Sequence, residues 1–230
     1  MKLLMIDTAT IVATAAIMDE DKLVAESIVN YKKKHSEKLL PTIDHMLGDS
    51  GLTLQEMDAF GVVAGPGSFT GLRIGMATAK GFAQALDKPM VTVSTLESLA
   101  ANVACADGVI CPMLDAQRSQ VYTGVYRWAG DDLQAIQGET VLTIEELAKI
   151  LNTLGDGPKI ILGDALAKYY GPLAGMVPGT RRVAPYLAMD RASSAAQIAM
   201  KKLLAGQTVT YRDAALTYLR KSSAEERFEK

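Results

Sequence analysis

The chain opens with three short apolar, β-favouring runs, Lys2–Ile6, Val12–Met18 and Leu23–Val29, separated by Asp7-Thr8-Ala9-Thr10 and Asp19-Glu20-Asp21-Lys22. Runs of this length broken by turn-forming clusters predict a three-stranded antiparallel meander. The period then changes. Leu39, Ile43 and Leu47 recur every four residues, with Leu40 and Met46 beside them, which predicts an amphipathic helix over Ser36–Leu47. Ser36 is the expected cap, and Pro41 predicts an irregular first turn. The unbroken apolar run Ala59–Ala64 predicts a buried strand. It leads through Gly65-Pro66-Gly67-Ser68-Phe69-Thr70-Gly71 into a long helix that reaches Leu86, followed by Lys88-Pro89 and a strand over Met90–Val93. Strand, helix, strand in that order predicts a right-handed parallel crossover. A short helix over Leu96–Ala104 precedes Asp107-Gly108, the expected boundary between one domain of residues 1–106 and a second of residues 107–230.

The second half repeats the opening. Val109–Leu114 ends in Asp115, Val121–Trp128 follows, and the turn Ala129-Gly130-Asp131-Asp132 leads to Leu133–Gln137. A helix over Ile144–Leu154, a strand over Lys159–Leu162 and a helix over Ser193–Leu204, ending near Gly206, complete the pattern. Two copies of β-β-β-α-β-α are the layout of an α/β protein with the duplicated actin-like, ribonuclease H-like fold in two lobes. The charged tail Lys221–Lys230 is expected to be solvated.

Composition narrows the function. With 230 residues, 49% of them apolar, the chain has material for a full core. Its 24 basic and 26 acidic side chains give no global positive field, which argues against strong independent binding of a polyanion such as tRNA. Cys105 and Cys111 fit neither a zinc pair nor a disulfide framework, and both are expected to be small core residues. Asp7 interrupts the first apolar run, so neither a signal-peptide core nor a membrane span is present there, and a cytoplasmic location is expected.

The candidate chemistry is mostly negative. Gly65–Gly71 resembles a phosphate loop, but Gly71 is followed by Leu72-Arg73 rather than by the Lys-Ser/Thr that would reach phosphates and magnesium. Gly71, Gly75, Ala79 and Ala83 recur every four residues, a stripe of small side chains open to close packing either on the chain's own sheet or against a foreign helix. The two histidines, His35 and His45, lie ten residues apart, not at the spacing of a helical metal pair. His35 follows Lys32-Lys33-Lys34, read as a solvated strand edge or a small basic patch. Asp7 and Asp115 end the first strand of each half, where no glycine lets backbone amides wrap a phosphate, and local turn bonding accounts for them.

Ala64–Gly75 closely resembles the hallmark of the TsaB (YeaZ) family, and Ile6-Asp7-Thr8, His35-Ser36-Glu37, Leu40-Pro41 and Tyr218-Leu219-Arg220-Lys221 are similar to its other signatures. The resemblance implies a non-catalytic subunit in threonylcarbamoyl (t6A) modification of the adenosine beside the tRNA anticodon. The implied partners are the catalytic paralogue TsaD and the ATPase TsaE, with a homodimer when the chain is alone. TsaD carries a metal-binding His-His-Met-Glu-Gly-His segment. The matching stretch is Ser94-Thr95-Leu96-Glu97-Ser98-Leu99, with Thr95 and Leu99 at the histidine positions. No metal and no cofactor of its own are therefore expected, which leaves open a nucleotide shared at a joint surface in the complex. The resemblance points to the two helices around Leu39–Leu47 and Gly71–Leu86 as the partner surface, with Leu39, Ile43, Met46, Arg73, Met76 and Lys80 as contacts. The alternative is an actin-like ATP-dependent enzyme or a glycoprotease-like metalloprotein.

Overall fold

The computed structural model describes residues 1–31 and 35–220. The lysine run 32–34 and the tail 221–230, expected as a solvated edge and a solvated end, lie outside the described residues. The chain divides into two units, one of Met1–Ser98 with Asp190–Thr217, the other of Leu99–Met189 with the segment that starts at Tyr218.

In the first unit, β1 (Lys2–Asp7), β2 (Val12–Asp19) and β3 (Lys22–Asn30) form the expected meander, with Leu4 opposite Ile17 and Ala13 opposite Val29. Helix α1 (His35–Ser50) returns the chain to β4 (Ala59–Val63), parallel to β1, and α2 (Phe69–Leu86) crosses to β5 (Met90–Val93), parallel to β4. The sheet order is β3-β2-β1-β4-β5. After α3 (Thr95–Ala101), the second unit repeats the plan with β6 (Val109–Gln117), β7 (Gln120–Ala129), β8 (Asp132–Thr143), α4 (Ile144–Asn152), β9 (Lys159–Leu162), α5 (Leu166–Met176) and β10 (Thr180–Arg182). Its order, β10-β9-β6-β7-β8, matches the first sheet element for element.

The last helix, α6 (Ala192–Leu204), corrects the expected boundary. It belongs to the first unit. Both faces of the first sheet are apolar: Leu4, Ile6, Phe60 and Val62 pack toward α1 and α2, while Leu3, Met5, Val63 and Val91 pack against Ala195, Ala196, Ala199 and Met200. A sheet buried on both faces needs a helical layer on each, and α6 supplies the second. Glu26 of β3 anchors its start, accepting from Arg191 Nη2 at 2.5 Å and from the Ser193 amide at 2.9 Å.

Other boundaries shift for local reasons. Helix α1 begins at His35, so Ser36 lies inside the first turn instead of capping it, and Pro41 sits within the helix. Strand β8 runs past Gln137 to Thr143, where Thr143 and Glu146 form a capping box for α4. Helix α3 ends at Ala101, short of Ala104. Cys105 is exposed, against expectation, with a left-handed backbone at the end of a turn; Cys111 is buried.

Candidate functional site

The carboxyl ends of parallel strands are where open α/β sheets place ligands. In the first unit that edge holds Asp7, the β1–β2 turn and the glycine-rich loop before α2. Asp7 is fully buried. Its Oδ1 accepts from the Ala9 amide at 2.9 Å and its Oδ2 has no partner, so burial pushes the carboxyl up to about 7 against the smaller opposing effect of that amide. The loop is filled by its own chain. Ser68 donates its amide to Ala9 O at 2.6 Å, and Thr8 Oγ1 donates to Gly71 O at 2.8 Å. A Cβ on Gly67 would overlap Ala9 O, one on Gly71 would overlap Thr8 O, and one on Gly75 would overlap Thr8 Oγ1. The glycines thus let the β1–β2 turn close directly onto the loop and the first turns of α2. Gly71, Gly75, Ala79 and Ala83 are all buried, so the stripe packs inside its own unit.

The positions that hold imidazole in the TsaD pattern do not fit a metal. Thr95 and Leu99 are buried, and Thr95 offers only a hydroxyl that lacks a hydrogen-bond partner. Among the described residues no three His, Cys, Asp or Glu side chains gather as a metal set.

In the second unit, Asp115 makes the expected turn bond, accepting from the Gln117 amide at 2.8 Å, and its own amide donates to Asp164 Oδ1 at 2.9 Å. Lys168 lies 3.3 Å from Asp115 Oδ2. Burial, the larger effect, and the neighbouring Asp115 charge raise the Asp164 carboxyl above its ordinary range, against the Asp115 amide. The intervening turn is a run of three left-handed residues, Gln117, Arg118 and Ser119, with φ of 59°, 50° and 60°. Arg220 staples it, donating to Ala116 O at 2.8 Å and to Gln120 Oε1. Arg220 belongs to the Tyr218-Leu219-Arg220-Lys221 segment noted in the sequence, but its stapling role is not readable there, since it acts on residues about a hundred positions upstream.

The expected partner contacts require correction. Leu39, Ile43, Met46 and Met76 are buried in the first unit's own core, because the inward face of each helix is what such apolar spacing marks; of the four, Ile43 alone also lines the groove between α1 and α2. Arg73 reaches solvent and stacks its guanidinium 3.7 Å from the centre of the exposed Phe69 ring, while Lys80 is half-buried. What α1 and α2 present outward is an apolar groove of about 460 Å³ lined by Leu40, Pro41, Ile43, Asp44, Leu47, Leu54 and Phe82. Leu40, 51% exposed, is the residue the inward pattern passes over, and its apolar character off that stripe was the available signal. The outward charges are mainly acidic on α1, with Glu37, Asp44 and Asp49 exposed and Lys38 half-buried among them, and basic on α2, with Arg73 exposed and Lys80 half-buried. Gly81 is exposed in mid-helix with open space where a Cβ would stand, so nothing in its own unit repays the roughly 1 kcal/mol a helical glycine costs relative to alanine.

Two units that each set β-β-β-α-β-α in the same strand order define the duplicated, two-lobed actin-like class of α/β proteins, and ROK hexokinase from Thermus thermophilus shares the fold (TM-score 0.51, 12% identity, 90% of this chain and 100% of that one). The family model described as TsaD, tRNA N6-adenosine threonylcarbamoyltransferase, matches residues 22–219. The tRNA threonylcarbamoyladenosine biosynthesis protein TsaB of Bacillus subtilis is 38% identical over 163 residues, 71% of each chain. The structure of YeaZ from Pseudomonas aeruginosa superposes with a TM-score of 0.83 and 26% identity, over 95% of this chain and 99% of that one. The chain belongs to the TsaB (YeaZ) family, within the wider family that the TsaD model describes.

Proposed function

We propose that this chain serves threonylcarbamoyladenosine formation on tRNA as a non-catalytic cytosolic subunit, holding a TsaD-type catalytic subunit through the outward faces of α1 and α2, with TsaE joining the pair. The observation that carries this reading is the closed loop: Thr8 and Ala9 pack directly on Gly67 and Gly71, which leaves no room between turn and loop for a phosphate. Binding is then the remaining task, and the α1–α2 groove with its paired acidic and basic flanks suits it. Leu40, Asp44, Phe82, Arg73 and Lys80 make the contact, while Leu39, Ile43, Met46 and Met76 shape it from beneath. An interface of about 800 Å² per side is enough for a stable pair. The same acidic α1 and basic α2 complement a second copy across a two-fold axis, which gives a homodimer when the partner is absent. Any nucleotide is held jointly with partners, not by this chain alone.

The test is co-purification with TsaD, together with the modified-nucleoside level in a depleted strain rescued by each variant. Leu40→Glu, at an exposed position, is expected to weaken TsaD binding tenfold or more, about 1.4 kcal/mol, and to lower the modified nucleoside. A folded Leu40→Glu chain that retains TsaD and restores the modification would overturn the surface. Stoichiometric, tight binding of magnesium ATP by the chain alone would overturn the non-catalytic reading.

A further inference from the structure

We infer that the hairpin at residues 117–120 is a two-state element of the second unit, whose left-handed form is set by the segment that starts at Tyr218, with Arg220 as the positioning residue. The hairpin joins β6 to β7 with Gln117 paired to Gln120, so Arg118 and Ser119 are its two loop residues. Two-residue loops with positive φ at both positions are ordinarily built from Asn-Gly, Asp-Gly or Gly-Gly, because the Cβ of other residues is crowded there. Neither loop residue is of that kind here, and Gln117 before them is left-handed as well. The turn at the other end of β7 shows the ordinary solution, since Gly130 takes its left-handed position at a φ of 62°. Residues 117–119 thus hold a conformation that their own types disfavour, and contacts from outside the loop must select it.

Arg220 is placed to make that selection. Its Nη1 donates to Ala116 O at 2.8 Å and its Nη2 to Gln120 Oε1, so one planar fork grips the residue before the left-handed run and the residue after it. The pairing register slips between Asp115 and Gln117, and a bulge of this kind loosens the ladder next to the loop. The clasp is light. Past Ala214 no described side chain of the segment is buried, and residues 214–220 lie in no helix or strand. Segments with so little burial open at low free energy. A disfavoured hairpin under a light clasp has two arrangements, clasped and relaxed. The change reaches further through Asp115, whose Oδ1 accepts from the Gln117 amide while its Oδ2 lies 3.3 Å from Lys168. In the relaxed form Asp115 loses the first of these contacts, at the carboxyl end of β6, the edge where open α/β sheets place ligands.

The experiment follows amide exchange by NMR in the full chain. Arg220→Ala is expected to speed exchange at Gln117 by about tenfold or more, while the Ile110 and Ile161 amides, on the paired strands β6 and β9, change less than about twofold. Arg220→Lys keeps the charge but loses the fork, so it should behave as Arg220→Ala does. A second pair of changes, Arg118→Asn with Ser119→Gly, supplies residues that form this loop unaided. On that doubly substituted background Arg220→Ala is expected to speed exchange at Gln117 by less than about threefold, a rescue that a general packing role for Arg220 would not give. If Arg220→Ala prevents folding of the parent, recovery of the folded chain on the doubly substituted background supports the inference, and failure on both backgrounds overturns it. It is also overturned if Arg220→Ala leaves exchange at Gln117 unchanged, if it speeds exchange equally at Ile110 and Ile161, or if the loop substitutions do not suppress its effect.

Discussion

Glycines in this chain do two opposite jobs, and single substitutions separate them. Gly71 is held against the Thr8 carbonyl, where an added methyl meets backbone that cannot yield. Gly71→Ala is therefore expected to destabilise the first unit by about 1–3 kcal/mol, the usual cost of overpacking. Gly81 faces open space, so Gly81→Ala should stabilise the free chain by about 0.5–1 kcal/mol through helix propensity. Denaturant midpoints of the two variants check both signs. Buried Asp7 adds a pH dependence. Its carboxyl is raised from 3.8 to about 7 in the folded chain, so the folded form holds a proton that the unfolded chain has already released in that interval. The advantage of the neutral form is complete below pH 3.8 and is lost as pH rises to about 7, so stability falls across this window. Asp7→Asn keeps an acceptor for the Ala9 amide and cannot ionise. Its melting temperature should lack that decline and exceed the parent's at pH 8.

At the scale of elements, the informative case is α6. Its alanines at 192, 195, 196 and 199 are small enough for the helix to lie close on Leu3, Met5 and Val63. Without it one apolar face of the first sheet meets water. A fragment of residues 1–106, which contains every strand of that sheet, is therefore expected to aggregate or lack dispersed amide resonances, and co-expression with residues 190–217 should restore them. A well-dispersed spectrum from the fragment alone would show that α6 is dispensable. Helix α5 and β10 show the opposite limit of pattern reading. Pro172 lies within α5, with Gly171 and Gly175 beside it, residues that ordinarily break a helix. Strand β10, Thr180-Arg181-Arg182, is a polar edge with no buried side chain to set a period.

For the whole molecule, duplication was written along the chain and is reproduced in the two identical strand orders. The meanders, the crossover through α2 and the turn at Asp115 follow from runs of five to ten residues, whose period a neighbour cannot change. The candidate partner face was only half legible. Periodicity identified α1 and α2, yet it selected Leu39, Met46 and Met76, which hold the helices down, and Ile43, which is buried at the floor of the open groove, over Leu40 and Phe82, which line that groove at its surface. An apolar stripe states that a face is buried without stating what buries it.

The division between the two levels follows from range. Local order fixed the strand and helix series apart from α5 and β10, and the repeat, because each is a property of neighbouring residues. Only the folded chain decided that the loop glycines enclose Thr8 and Ala9, that α6 returns to the first sheet, and that Arg220 closes over the turn at Gln117. Those contacts join residues from about sixty to nearly two hundred positions apart, and they are chosen by which apolar face and which unpaired polar group remain once the local elements have formed.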